Sequence, residues 1–229
     1  MHTRSTISLL VVLLLLVAAS CDRQSKIEIK MARFERVLMD TPDEKLPEAL
    51  ADFATSNPSP LLRISPDDEF YMQQVAMYRN DSVVGMVDDS VKNYYSDLSD
   101  IERQLEQALQ RAVELDTAFA YRTFITYISN AGYGLRVAAD RESKSVAISI
   151  DEYVTPYMRP FGYFGEPLYI VRLCERQYIV PDCLAEIARQ HIAMPEDEMT
   201  MLDYIVAEGK IQYLLHEVLP SVHDTILFR

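Results

Sequence analysis

Apolar positions along the 229-residue chain fall into three kinds of pattern. The first is an unbroken run: residues 9–19 are eleven consecutive apolar residues behind a segment whose only charge is Arg4. A membrane-spanning helix needs about 20 such residues, so the run has the length of a signal-peptide core. The second pattern is helical. Thr41-Pro42-Asp43-Glu44 carries a cap, a first-turn proline and a capping-box acid, and Leu46, Leu50 and Phe53 then recur at helical spacing until the Pro-rich stretch 56–60. Ser65-Pro66-Asp67-Asp68 repeats the start signal for a helix reaching Tyr78. Ser99-Asp100-Ile101-Glu102 reads as another capping box, opening a helix whose stripe is Ile101, Leu105, Ala108, Leu109 and Ala112. Further helices are expected at about 167–176, 181–192 and 196–217, the last turning Leu202, Ile205, Val206, Leu214 and Leu215 inward.

The third pattern is strand-like. Ile27-Glu28-Ile29 alternates briefly, and residues 121–129 are rich in aromatic and β-branched side chains. Gly132 and Gly134 punctuate the chain before two short runs, 135–138 and 145–150, on either side of a polar turn at 140–144. These patterns predict an α+β fold: one mostly helical domain with a small antiparallel sheet of about three strands. Residues 153–164 break the regularity, with Tyr153, Tyr157, Phe161, Tyr163 and Phe164 set among prolines and glycine.

The apolar leader run ends in Ala18-Ala19-Ser20-Cys21. Small residues before a Cys resemble a bacterial lipobox, in which cleavage after Ser20 leaves Cys21 as an acylated N-terminus. An ordinary cleaved signal followed by a chance Cys is the alternative. The expected organisation is a signal peptide at 1–20, a lipidated tether at 21–26 and a globular domain at 27–229. Several acyl chains bury enough methylene groups for stable anchoring, so the expected location is the cell envelope, with the membrane as one partner and other envelope proteins as the rest.

Charge narrows the class. The chain carries 22 Lys+Arg against 35 Asp+Glu, a net charge of −13, and losing residues 1–20 removes one Arg and no acid, giving −14. An acidic chain of this kind lacks the basic face of a nucleic-acid binder. Three Cys exclude a disulfide scaffold; Cys174 and Cys183 could pair or lie as two buried thiols. Of four His, His2 lies in the leader, and His191, His216 and His223 form no His-Glu-x-x-His. His216 is expected to serve the carbonyls at a helix C-terminus. No metal or cofactor is expected. No Gly-x-Ser-x-Gly or phosphate-binding glycine loop occurs either. The remaining candidates are two carboxylates, Asp151 at the end of an apolar strand and Glu208 inside the last helix. Both sit at the edge of an apolar run, which predicts that Glu208 is buried, that Gly209 marks a close approach to the sheet, and that Asp151 shares the cleft.

Several stretches are similar to the gliding motility lipoprotein GldB family of Bacteroidetes: Asp97-Leu-Ser-Asp-Ile-Glu102, Thr126-Tyr-Ile-Ser129, Val146-Ala-Ile-Ser-Ile-Asp-Glu-Tyr153, Tyr178-Ile-Val-Pro-Asp-Cys183, Leu202-Asp-Tyr-Ile-Val-Ala-Glu-Gly-Lys-Ile-Gln-Tyr213 and Leu219-Pro220. The resemblance implies an envelope lipoprotein that works without catalysis, through contacts with motility and secretion machinery. Ser149 departs from it where a Gly is expected. A fainter likeness of Glu208-Gly209 to the third-ligand helix of gluzincin metallopeptidases supports an alternative, a divergent metal-dependent hydrolase using Asp151 and Glu208. In that case positions 151 and 155, Asp and Thr here, stand where imidazole ligands would be. A third reading is a small-ligand binder using the aromatic segment 153–164.

Overall fold

Residues 26–31 are extended, and their side chains alternate strictly: Ile27, Ile29 and Met31 are buried while Lys26, Glu28 and Lys30 are exposed. The computed structural model describes residues 26–129, 136–154, 173–192 and 200–227. The leader, Cys21, the start of the tether, Gly132, Gly134, most of the aromatic segment after Tyr153 and most of the helix expected at 167–176 lie outside the described residues.

The chain order is β1 (Ala32–Arg33), α1 (Phe34–Asp40), α2 (Leu46–Ser56), α3 (Glu69–Arg79), α4 (Ser82–Tyr94), α5 (Ser99–Leu115), β2 (Thr123–Tyr127), β3 (Val137–Asp140), β4 (Ser145–Ser149), α6 (Ile179–His191), α7 (Met201–Val218) and α8 (Asp224–Leu227). The fold is mostly helical, as the periodicities predict, with one small sheet. That sheet is mixed rather than antiparallel. Its order is β1-β2-β4-β3, with β1, β2 and β4 parallel and only β3 antiparallel, to β4. All five residues of β4 are buried, which is the signature of a central parallel strand covered on both faces. Periodicity and composition report burial, and strand direction is set by the connections. The β3–β4 hairpin turns through residues 141–144, where Ser143 donates to Asp140 Oδ2 from its backbone N–H (2.7 Å) and its hydroxyl (2.6 Å).

Two apolar cores lie on opposite faces of the sheet. Successive strand residues point to opposite sides, so Phe124 joins a main core with Leu105, Leu109, Val146, Ile148, Ile187 and Ile211. Its neighbour Ile125 joins a second core with Phe34, Leu38, Leu50, Phe53 and Val75. The expected stripes of α2 and α5 are buried throughout. Helix α4, absent from the sequence expectations although Asp81 caps its start by accepting the Val83 N–H (2.7 Å), packs Val84, Val87 and Val91 inward.

Helix α5 also organises the N-terminal segment. The backbone N–H groups of Ile27, Ile29 and Met31 donate to Gln110 Oε1 (3.1 Å), Glu106 Oε1 (2.9 Å) and Glu102 Oε1 (2.8 Å). Two residues of extended chain rise ~6.6 Å and four residues of helix rise ~6.0 Å, so the two ladders stay in register over three rungs. Glu102 is therefore engaged by the segment, and the capping box expected at Ser99 does not form. Asp97 takes that part instead, accepting the Ser99 N–H (2.9 Å) and hydroxyl (2.9 Å). A capping box forms at α7 in its place, where the Thr200 side chain accepts the Asp203 N–H and Asp203 accepts the Thr200 N–H. None of the described helices is long and apolar enough to cross a membrane.

Removing one rung tests the segment's hold. Glu106→Ala strands the Ile29 N–H in a half-buried site and should lower unfolding free energy by about 1–3 kcal/mol. Glu106→Gln keeps an acceptor and should lose less. Urea denaturation of both variants reads the difference.

Candidate functional site

The carboxyl ends of the three parallel strands bring polar groups together. Glu35 follows β1, Ser129 follows β2, and Asp151 follows β4 in a short 3-10 turn. Asp151 is buried and saturated with donors: Ser129 gives its N–H at 3.0 Å and its hydroxyl at 3.1 Å, and the Ser149 hydroxyl lies at 2.8 Å. The serine at 149, where the family resemblance expects Gly, thus supplies one of the bonds that hold this carboxylate.

Glu35 is 1% exposed. It pairs with Arg33 Nε at 2.5 Å and accepts the Thr126 hydroxyl at 2.9 Å. Arg36 pairs with Asp88, which also takes Lys92 Nζ at 2.8 Å, and Lys92 reaches Asp40 at 2.7 Å. The Lys92 ammonium is held above its ordinary value by its bonds to Asp40 and Asp88. Tyr78 leans over this group and donates to the Ile128 carbonyl at 2.9 Å. Burial pushes its phenol well up, and the charges of Asp151, Asp88 and Glu35 add to the shift. Three carboxylates therefore lie near enough for their charges to act on one tyrosine. Beside them a cleft of about 370 Å³ is lined by Phe34, Leu62, Tyr71, Val75, Tyr78 and Tyr127.

The sequence signal for this network lay in Phe34-Glu35-Arg36-Val37-Leu38 and in Val87-Asp88, charges set inside apolar runs. Charges so placed are stranded in a core unless paired.

Glu208 lies elsewhere, on a cleft of about 360 Å³ between α6, α7 and α8 that includes Arg136, Asp182, Arg189 and Gln212. Its side chain is 48% exposed, 3.5 Å from Arg189, and accepts Gln212 Nε2 at 2.9 Å. The expectation of a buried Glu208 is therefore corrected. Gly209 marks no close approach, since a Cβ there would meet nothing within 4 Å. The cause is the rotation of α7. Ala207, Ile211, Leu215 and Val218 face the core, so the strip containing Leu202, Ile205 and Val206 faces out. Asp151 does not line the Glu208 cleft. Its turn reaches toward that cleft through Tyr153, whose hydroxyl donates to Asp182 at 2.7 Å.

Cys174 and Cys183 are both buried and are not joined to each other, and burial raises the Cys183 thiol. His216 Nδ1 stands 3.7 Å from Asp224. His191 packs on Phe119 and Tyr121, with its Nε2 3.1 Å from the Tyr121 hydroxyl and 3.4 Å from Lys144 Nζ. Burial, then the Lys144 and Arg141 charges, holds the imidazole below its ordinary range. Among the described residues no three His, Cys, Asp or Glu side chains converge closely enough to hold a metal ion.

Residues 19–229 match the family model described as gliding motility protein GldB. No curated protein and no solved structure matches the chain.

The two carboxylates should separate by thermal melting. Asp151→Ala leaves three donors without their acceptor and should cost about 1–3 kcal/mol. Glu208→Ala removes a half-exposed pair and should change stability by under about 1 kcal/mol. For His191, the folded pKa lies below the unfolded value of about 6.5. The unfolded chain therefore binds more protons between those two values, and stability contributed by the neutral ring is lost as pH falls through that window. The imidazole should titrate by NMR with a midpoint below about 6.5, and His191→Gln should flatten that part of the stability profile.

Proposed function

The chain belongs to the gliding motility protein GldB family, and from that membership we propose that it is a lipid-anchored protein of the cell envelope that acts without catalysis, through contacts with motility and secretion machinery. The observation that carries the reading is the span of the family match. It takes in Ala19, Ser20 and Cys21 together with the whole described domain. Within that domain the buried strand-end carboxylates Glu35 and Asp151 are engaged by donors of the fold itself. Carboxylates so occupied hold strand ends in place, which suits a scaffold for protein contacts.

In this reading the signal peptide is residues 1–20, acylated Cys21 begins the mature chain, residues 21–26 form the tether, and the domain follows from residue 27. The eleven-residue apolar run and the small residues before Cys21 supply the address, and acyl chains supply the membrane affinity.

Cys21→Ser should leave the precursor uncleaved or release the protein from the membrane fraction. Intact mass and fractionation of wild-type and variant cells read this directly; an unchanged mass with unchanged membrane retention would overturn the anchor. Crosslinking in native envelopes followed by affinity capture should recover motility or secretion components, and their absence would overturn the proposed contacts.

A further inference from the structure

Helix α7 has two apolar faces. Ala207, Ile211, Leu215 and Val218 are buried, in a helix that packs on α5 and α6. On the opposite side, at 100° per residue, Leu202, Val206, Gly209 and Tyr213 form a second row with Ile205 beside it. These side chains are bare: Leu202 is 66% exposed, Ile205 61%, Val206 47% and Tyr213 68%. Met201 and Tyr204, in the first turn, are also largely exposed. A surface helix ordinarily carries charge on its outward face. Leu202, Ile205, Val206 and Tyr213 are contiguous on this face, and a contiguous bare apolar patch, unlike singly scattered apolar residues, marks an interaction surface.

We propose that this face pairs antiparallel with the same face of a second copy of the chain. About a twofold axis passing between positions 207 and 208, Leu202 of one copy meets Tyr213 of the other, and Val206 meets Gly209. The glycine then has a use: the space around its missing Cβ is open to 4 Å and receives the Val206 side chain. Along one flank Asp203 of each copy lies beside Lys210 of the other, so the twofold gives two opposite-charge neighbours. Sliding the register to centre on Gly209 would set Lys210 beside Lys210 and Asp203 beside Glu217, like against like. The seating of Val206 against Gly209 thus sets the register, and the charges exclude that slide. They also select against a membrane as the occupant. The helix offers Lys210 alone among Asp203, Glu208 and Glu217, whereas helices that lie on membranes carry Lys and Arg along the polar face.

The test uses the full chain in its native membranes, with two differently tagged copies, one carrying Val206→Cys and the other Gly209→Cys. Both positions lie on the bare face, and circular dichroism of the purified variants confirms that each is folded. Mild oxidation should join the two tags in a species of twice the chain mass, and adding Leu202→Asp to both copies should abolish it. A Gly209→Cys homodimer forming faster than the mixed pair would overturn the register. No dimer-sized species, or a crosslink to a different protein, would overturn self-pairing.

Discussion

A carboxylate with 1% of its surface in water is tolerable only where the surrounding elements hold donors rigidly around it, and Glu35 sets that condition for the N-terminal half of the domain. Arg33, from the strand just before it, and Thr126, from the middle of β2, both engage its side chain. Arg33 also reaches the Tyr95 carbonyl at 2.9 Å, and Arg36 binds Asp88 of α4. One buried charge thus fixes the relation of β1, α1, β2, α4 and the turn after α4. Breaking such a pair by deleting one partner typically costs about 3–5 kcal/mol, because the other charge stays buried. The second apolar core, from Phe34 to Val75, packs around elements that this network has already positioned.

The same network connects the two halves of the molecule. Arg33 holds the Tyr95 carbonyl, the Tyr95 hydroxyl donates to the Tyr153 carbonyl at 2.7 Å, and the Tyr153 hydroxyl donates to Asp182 on α6 at 2.7 Å. Two tyrosines, each burying a ring and keeping a polar tip for a partner, span the core between β1 and α6. In open α/β sheets ligands gather outside the carboxyl ends of parallel strands. Here Tyr78, Asp151 and Glu35 occupy that place, and the cleft beside them is walled by aromatic and aliphatic groups.

How much was legible in the sequence follows from what each signal measures. Regular stripes such as Ile101 to Ala112 and Leu46 to Phe53 placed their helices and named their buried faces, because one apolar face leaves a single way to pack. Helix α7 defeated the same reasoning because it is apolar on two faces, and periodicity cannot say which of two equal stripes meets the core. Glu208 was misplaced with it, as was Gly209. Asp151 was found because an apolar strand ending in an acid demands donors, though the donors, Ser129 and Ser149, are set by the strand pairing. The parallel direction of β2 and β4 depends on connections that composition does not report. The Glu35 network went unread because its members are separated by more than fifty residues, from Arg36 to Asp88.

The N-terminal segment on α5 has a mechanical meaning in an anchored protein. A tether of six residues reaches at most ~22 Å, so under the proposed anchoring tension between membrane and domain would arrive at Ile27 almost undamped. Pulled along its own axis, the segment would load its three bonds to Gln110, Glu106 and Glu102 together, in shear. Pulled away from the helix, it would peel them one after another. The direction of load would then decide whether the domain bears force as a unit or yields from its first rung.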